Sequence, residues 1–107
     1  MEIIFQGAKF EVEITSFEEL TGGRLYSRAT RTAYDVKVAN DSGAKYLLTI
    51  KANDYTEDGN TYKGTASMAE GVYDLELYGV DDDGLPVIHY HKARYAQVKA
   101  SSFTQVE

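Results

Sequence analysis

Apolar and polar residues alternate at every second position over much of this chain, which predicts strands with one face in a core and the other in water. In residues 9–15, Phe10, Val12 and Ile14 fall on one side, and Lys9, Glu11, Glu13 and Thr15 on the other. Tyr34, Val36 and Val38 alternate with Asp35 and Lys37 in a second strand. Asn40-Asp41-Ser42-Gly43 reads as a turn, with Gly43 suited to a positive φ. Residues 45–52 are more continuously apolar (Tyr46, Leu47, Leu48, Ile50), as expected of a strand covered on both faces. Glu57-Asp58-Gly59-Asn60 is the next turn, and residues 61–67 return as a polar edge strand.

The later part of the chain repeats this scheme. Tyr73, Leu75 and Leu77 are expected to face inward, with Asp74 and Glu76 facing out. Asp81-Asp82-Asp83-Gly84 makes a hairpin turn, residues 86–90 return, and residues 95–100 form the closing strand. A segment near Ile4 precedes the first clear strand, with Gly7-Ala8 as a turn or bulge between them. Residues 15–32 fit least well: their spacing suits a short helix or a long loop, with a short strand around Leu25-Tyr26, and Gly22-Gly23 argues against one continuous helix. The expectation is a single all-β domain over residues 1–107, an immunoglobulin-like β-sandwich of about seven strands, with residues 101–107 as a C-terminal arm. Glu70-Gly71-Val72-Tyr73 fits both a tyrosine corner, in which the hydroxyl bonds back to the preceding turn, and a plain turn before a strand.

Composition adds bounds. A chain of 107 residues can bury roughly two-thirds of its unfolded surface, enough for a modest core without staples. Nine tyrosines and no tryptophan suit pleated, half-wet faces. The net charge of −6 argues against a nucleic-acid partner, whose backbone is also anionic. With no cysteine there is neither a disulfide framework nor a thiolate metal site, which fits a reducing compartment. Met1-Glu2-Ile3-Ile4-Phe5-Gln6-Gly7 lacks the basic start and apolar length of a signal peptide, and no stretch has the length of a membrane span. Residues 2–7 also match a viral protease site used in expression tags, but their alternation suits a strand.

Candidate chemistry is sparse. The two acidic turns, Asp81-Asp82-Asp83-Gly84 and residues 54–59, invite a calcium reading. Aligned as EF-hand loops they place Tyr90 and Thr65 where the closing carboxylate belongs, so a solvated turn is the better reading of each. His89 and His91 lie two apart on an expected strand and could share a metal, but nothing marks a third ligand. Asn40-Asp41-Ser42 matches the glycosylation pattern only as a turn does. No nucleophile elbow, phosphate-cradling loop or cysteine nucleophile is present. The expectation is therefore no enzyme, no catalytic residue, no cofactor and no metal site. Arg24, Arg28 and Arg31 form a basic cluster with spacings of four and three. They read as a contact patch for an acidic neighbour or as an ordinary solvated loop. Phe103 and Val106 in the tail read as a docking arm or as a frayed end.

The pattern Gly71-x-Tyr73-x-Leu75-x-Leu77-Tyr78, an acidic turn, Val87-Ile88, then Tyr95-Ala96-x-Val98 and a serine pair resembles the ends of small immunoglobulin-like modules in bacteriophage virion proteins. These are auxiliary capsid proteins, head-fibre proteins and N-terminal modules of baseplate proteins. The arrangement around Tyr34-Asp35-Val36-Lys37-Val38 is similar to the same group, so the likeness spans about two-thirds of the chain. It departs from the longer fibre proteins in having no stalk. The resemblance implies a non-enzymatic auxiliary capsid or fibre-attachment protein of the virion, assembled in bacterial cytoplasm. It would bind capsid, fibre or tail subunits, with no nucleic acid and no membrane, and would be open to homo-oligomer formation. The alternative is a carbohydrate- or protein-binding module of a bacterial cell surface, in which Tyr55, Tyr62 and Tyr78 would stack on sugar rings.

Overall fold

The alternation of Phe10, Val12 and Ile14 with Glu11 and Glu13 becomes strand β2 (Phe10–Thr15), whose apolar residues are half-buried and whose acids are exposed. In a computed structural model that describes residues 1–104, the other strands are β1 (Glu2–Phe5), β3 (Gly22–Ser27), β4 (Thr32–Ser42) and β5 (Lys45–Ile50). They are followed by β6 (Tyr55–Glu57), β7 (Asn60–Tyr62), β8 (Gly71–Val80) and β9 (Pro86–Lys99). The only helical pieces among the described residues are single 3-10 turns at Thr65–Ser67 and Ser102–Thr104.

The chain is all-β. Its strands run β1-β9-β8-β3-β4-β5-β2, with β6 and β7 in a separate hairpin. The first half of β4 pairs with β3, from Gly23 opposite Val36 to Ser27 opposite Thr32. The second half pairs with β5, from Lys37 opposite Thr49 to Ser42 opposite Lys45. By changing partner between Val36 and Lys37, β4 passes from one layer of a sandwich to the other. Strands β3, β8 and β9 take the places of C, F and G in an immunoglobulin domain, while β2, β5 and the far half of β4 take those of B, E and D. Strand β1 lies parallel to β9, with Ile4 opposite Val98. Leu25, Leu75 and Leu77 from one layer meet Tyr46, Leu48 and Ile50 from the other in one core. Of the two readings of Glu70-Gly71-Val72-Tyr73, the tyrosine corner is the one formed: the Tyr73 hydroxyl donates to the Ala69 carbonyl at 2.6 Å.

Several expectations are corrected. In residues 15–32 the short strand expected around Leu25-Tyr26 is present as β3, but it is longer, runs through Gly22 and Gly23, and lies between β4 and β8 with no helix beside it in this segment. Gly22 and Gly23 belong there because side chains close on their backbone: a Cβ on Gly22 would stand 2.8 Å from the Tyr78 hydroxyl oxygen, and one on Gly23 2.8 Å from Leu77 Cδ2. Strand β5 is covered on one face, since Tyr46, Leu48 and Ile50 are buried while Leu47 and Thr49 are half-exposed. It lies centrally in its layer, but the outer side of that layer is open. Residues 61–67 are not one strand. Only Asn60–Tyr62 pairs, and the following 3-10 turn sinks Thr65 into the interior, where its hydroxyl donates to the Ala8 carbonyl at 2.7 Å. Residues 86–90 and 95–100 are not separate strands either: β9 runs unbroken through both, with pairing irregularities opposite Asp74 and between Leu77 and Tyr78.

Candidate protein-binding surface

The β8–β9 hairpin outruns the sandwich. Pairing of β8 with β3 ends at Tyr78, while β8–β9 pairing continues to Val80 opposite Pro86. The turn beyond is built by Asp81, whose Oδ1 accepts the N–H groups of Asp83 and Leu85, each at 2.9 Å. Its main chain adds two more bonds, Asp81 N–H to the Leu85 carbonyl and Gly84 N–H to the Asp81 carbonyl. This carboxylate thus works as a turn former, as the sequence favours. In the other acidic loop, Asp54 Oδ1 accepts the Gly64 N–H at 2.7 Å, and that bond heads the contacts that hold the carboxyl below its ordinary range. Among the described residues no cluster of three or more His, Cys, Asp or Glu side chains is arranged to hold a metal ion.

On the return strand, residues 86–94 are all exposed. Strand β1 covers the outer edge of β9 only from Ala96 to Lys99, so along residues 86–94 that edge has no strand beside it among the described residues. The arm is apolar as well as unpaired: Val80, Leu85 and Ile88 are 56%, 60% and 51% exposed, and Val87 and Tyr90 are also in solvent. An unpaired edge offers a row of N–H and C=O groups to an incoming strand, and an apolar one adds a desolvation gain. The two histidines do not converge on one point. His91 Nε2 sits 3.6 Å from Asp74 Oδ2, whereas the His89 ring lies against the backbone of Gly79.

At the base of the arm the chain is pinned by Asp74, which is only 5% exposed. Its Oδ1 accepts the Arg94 N–H at 2.9 Å, and Arg28 Nε lies 3.0 Å from Oδ2. Burial pushes this carboxyl upward. The Arg94 N–H, the Arg28 charge and His91 together outweigh that push and hold it below its ordinary value.

Of the residues singled out in the sequence, Arg24 lies on β3 and Arg28 in the turn that follows it, so they share no helical face. Both pair with acids on β8, Arg24 Nε with Glu76 Oε1 at 2.9 Å and Arg28 with Asp74. Arg31 stands apart in the turn to β4 with a left-handed φ of 56°. Phe103 is 68% exposed in the last 3-10 turn, and Val106 lies outside the described residues. The arm itself was not singled out. Its signal is the run Leu85-Pro86-Val87-Ile88, which breaks alternation beside an acidic turn. Tyr62 and Tyr78 line one shallow polar cleft of about 110 Å³ together with Asp35, Asn60 and Thr61. Tyr55 instead stacks on Tyr62, with ring centroids 5.2 Å apart.

Fold and surface together define a β-sandwich that presents an unpaired apolar ribbon. Comparison with family models, with curated proteins and with solved structures finds no match for this chain. No helix among the described residues is long and apolar enough to cross a membrane.

Proposed function

We propose that this chain is a non-enzymatic structural protein that docks on other protein subunits through its β8–β9 arm, and that it serves as an auxiliary capsid or fibre-attachment protein of a bacteriophage virion. The observation that carries the binding role is the exposed, unpaired edge of residues 86–94 with Leu85, Val87 and Ile88 beside it. Monomeric domains protect such edges with charge, proline or a covering loop; here Pro86, Lys92 and Arg94 guard only the ends, and the stretch around Val87, Ile88 and Tyr90 is left open to a partner strand. The virion assignment is supported by the likeness of the late strands to phage immunoglobulin-like modules. The test is direct mixing with phage capsid, portal, fibre and tail proteins, starting with any that its genomic neighbours encode. Binding to one of them, lost in Leu85→Lys/Ile88→Lys, is the expected result. Binding to host glycans or host proteins and to no virion protein would overturn the reading.

A second reading rests on the Tyr62–Tyr78 cleft. Asp35, Asn60 and Thr61 give the cleft a polar lining suited to sugar hydroxyls, with the half-buried Tyr62 and Tyr78 in its wall. Glycan-array binding abolished by Tyr62→Ala would favour a cell-surface carbohydrate-binding module over the virion role.

A further inference from the structure

Charge along the arm is segregated by position. Asp81, Asp82 and Asp83 stand at its tip, the apolar residues Leu85, Val87 and Ile88 follow, and Lys92 and Arg94 stand at its base. Asp82, Asp83, Lys92 and Arg94 enter no ion pair among the described residues. Unpaired charge of opposite sign therefore waits at the two ends of one ribbon, with an exposed apolar stretch between.

We infer that the arm's partner is a second copy of this chain, joined by a two-fold axis that passes near Val87. Two ribbons laid antiparallel about that axis put each acidic tip beside the other copy's Lys92 and Arg94. The same placement brings the two apolar stretches together at the centre. Both open β9 edges then face one another, so the ribbons can join into one sheet by antiparallel pairing. A two-fold contact must be self-complementary, each patch meeting its own copy in reverse. An acid-to-apolar-to-base gradient on a single ribbon meets that condition, whereas a foreign partner needs no such symmetry. The net charge of −6 opposes indiscriminate association, so the end charges set register and orientation more than affinity. This inference rests on the reading of the arm as a contact surface and gives the open edge of residues 86–94 to a second copy, so that a virion subunit would meet the joined ribbons rather than the bare edge.

A charge-swap experiment tests it. Sedimentation measures self-association of the unmodified chain, of Asp82→Lys/Asp83→Lys and of Lys92→Glu/Arg94→Glu. Each variant places like charges together at both ends of the contact, and its self-association is expected to weaken by about a hundredfold. An equimolar mixture restores opposite charges at both ends and is expected to form a one-to-one heterodimer. Amide exchange on the unmodified chain gives a second measurement that needs no variant: protection in residues 86–94 should rise with protein concentration. A monomer at every concentration overturns the inference. So does a dimer that persists in both variants, or one that forms with no added protection in residues 86–94. If the chain is monomeric yet loses a virion partner in Leu85→Lys/Ile88→Lys, the proposed function stands and only the self-pairing fails.

Discussion

Asp74 and Arg94 lie on adjacent strands, and the buried carboxylate of the first holds the backbone N–H of the second at 2.9 Å, just where β9 leaves regular pairing. Arg94 has a left-handed φ of 54°, unusual for a residue with a side chain. Three residues of β9, Ala93 to Tyr95, are spent there against Asp74 alone, between the pairs Tyr73–Ala96 and Leu75–Lys92. A bulge of this kind bends and twists its strand. Asp74 thus links the core strand β8 to the direction in which the arm departs.

Replacing Asp74 with Asn keeps an acceptor for the Arg94 N–H but removes its charge, and should destabilise the domain by about 1 kcal/mol, the difference between a charged and a neutral hydrogen bond. Arg28 is largely exposed, so its ion pair adds little and is screened by salt. Because the folded carboxyl is held below its ordinary value, its contribution is complete above the ordinary carboxylate range. It is lost as pH falls through the lowered folded value. Urea unfolding at descending pH should show the gap between the native chain and Asp74→Asn closing in acid. A gap that stays constant would remove Asp74 as the source.

Tyr73→Phe keeps the ring and removes the donor to the Ala69 carbonyl. The expected cost is about 1 kcal/mol, or about 5 °C in Tm for a domain of this size. Calorimetry decides it.

In alkali the tyrosines work against the fold. Burial pushes the Tyr95 phenol up to about 12, and burial first, then the neighbouring Tyr34, raises Tyr73 as well. Unfolded tyrosine ionises near about 10, so from there upward the unfolded chain holds fewer protons than the native one and stability falls as pH rises. Phenolate absorbance should show these two rings ionising well above the ordinary tyrosine range, or earlier only where the chain unfolds.

Gly79→Ala should cost about 2 kcal/mol, because a Cβ there would stand 2.4 Å from the Glu19 carbonyl oxygen, and neither main chain can yield cheaply. Thermal unfolding should register the loss, and exchange should show residues 19–21 opening with the root of the arm.

Ile88→Lys makes the opposite expectation. Ile88 is 51% exposed, so folding stability should change by no more than about 0.5 kcal/mol, while binding through the arm is lost. A large stability change would mean that Ile88 is already covered within one chain.

Much of the layered pattern was legible because alternation is a local property. Phe10, Val12 and Ile14 announce a one-sided strand, and Tyr73, Leu75 and Leu77 an inward face, whatever lies beside them. The tyrosine corner was legible as one of two readings, since its bond spans only residues 69 to 73, but the pattern alone did not separate it from a plain turn. Residues 15–32 were harder, because Gly22 and Gly23 read as breakers until the Tyr78 and Leu77 side chains are placed on them.

What the sequence by itself determined is which side of strands such as β2 and β8 faces the core and where turns such as 81–84 fall, because both follow from neighbouring side chains and local φ/ψ preferences. Which strand lies beside which was decided only by the tertiary structure, through contacts such as Ile4 with Val98 that join the two ends of the chain. That choice also made the arm. Strand β1 stops short on the edge of β9, no other strand among the described residues covers residues 86–94, and Val87 and Ile88 stand in solvent.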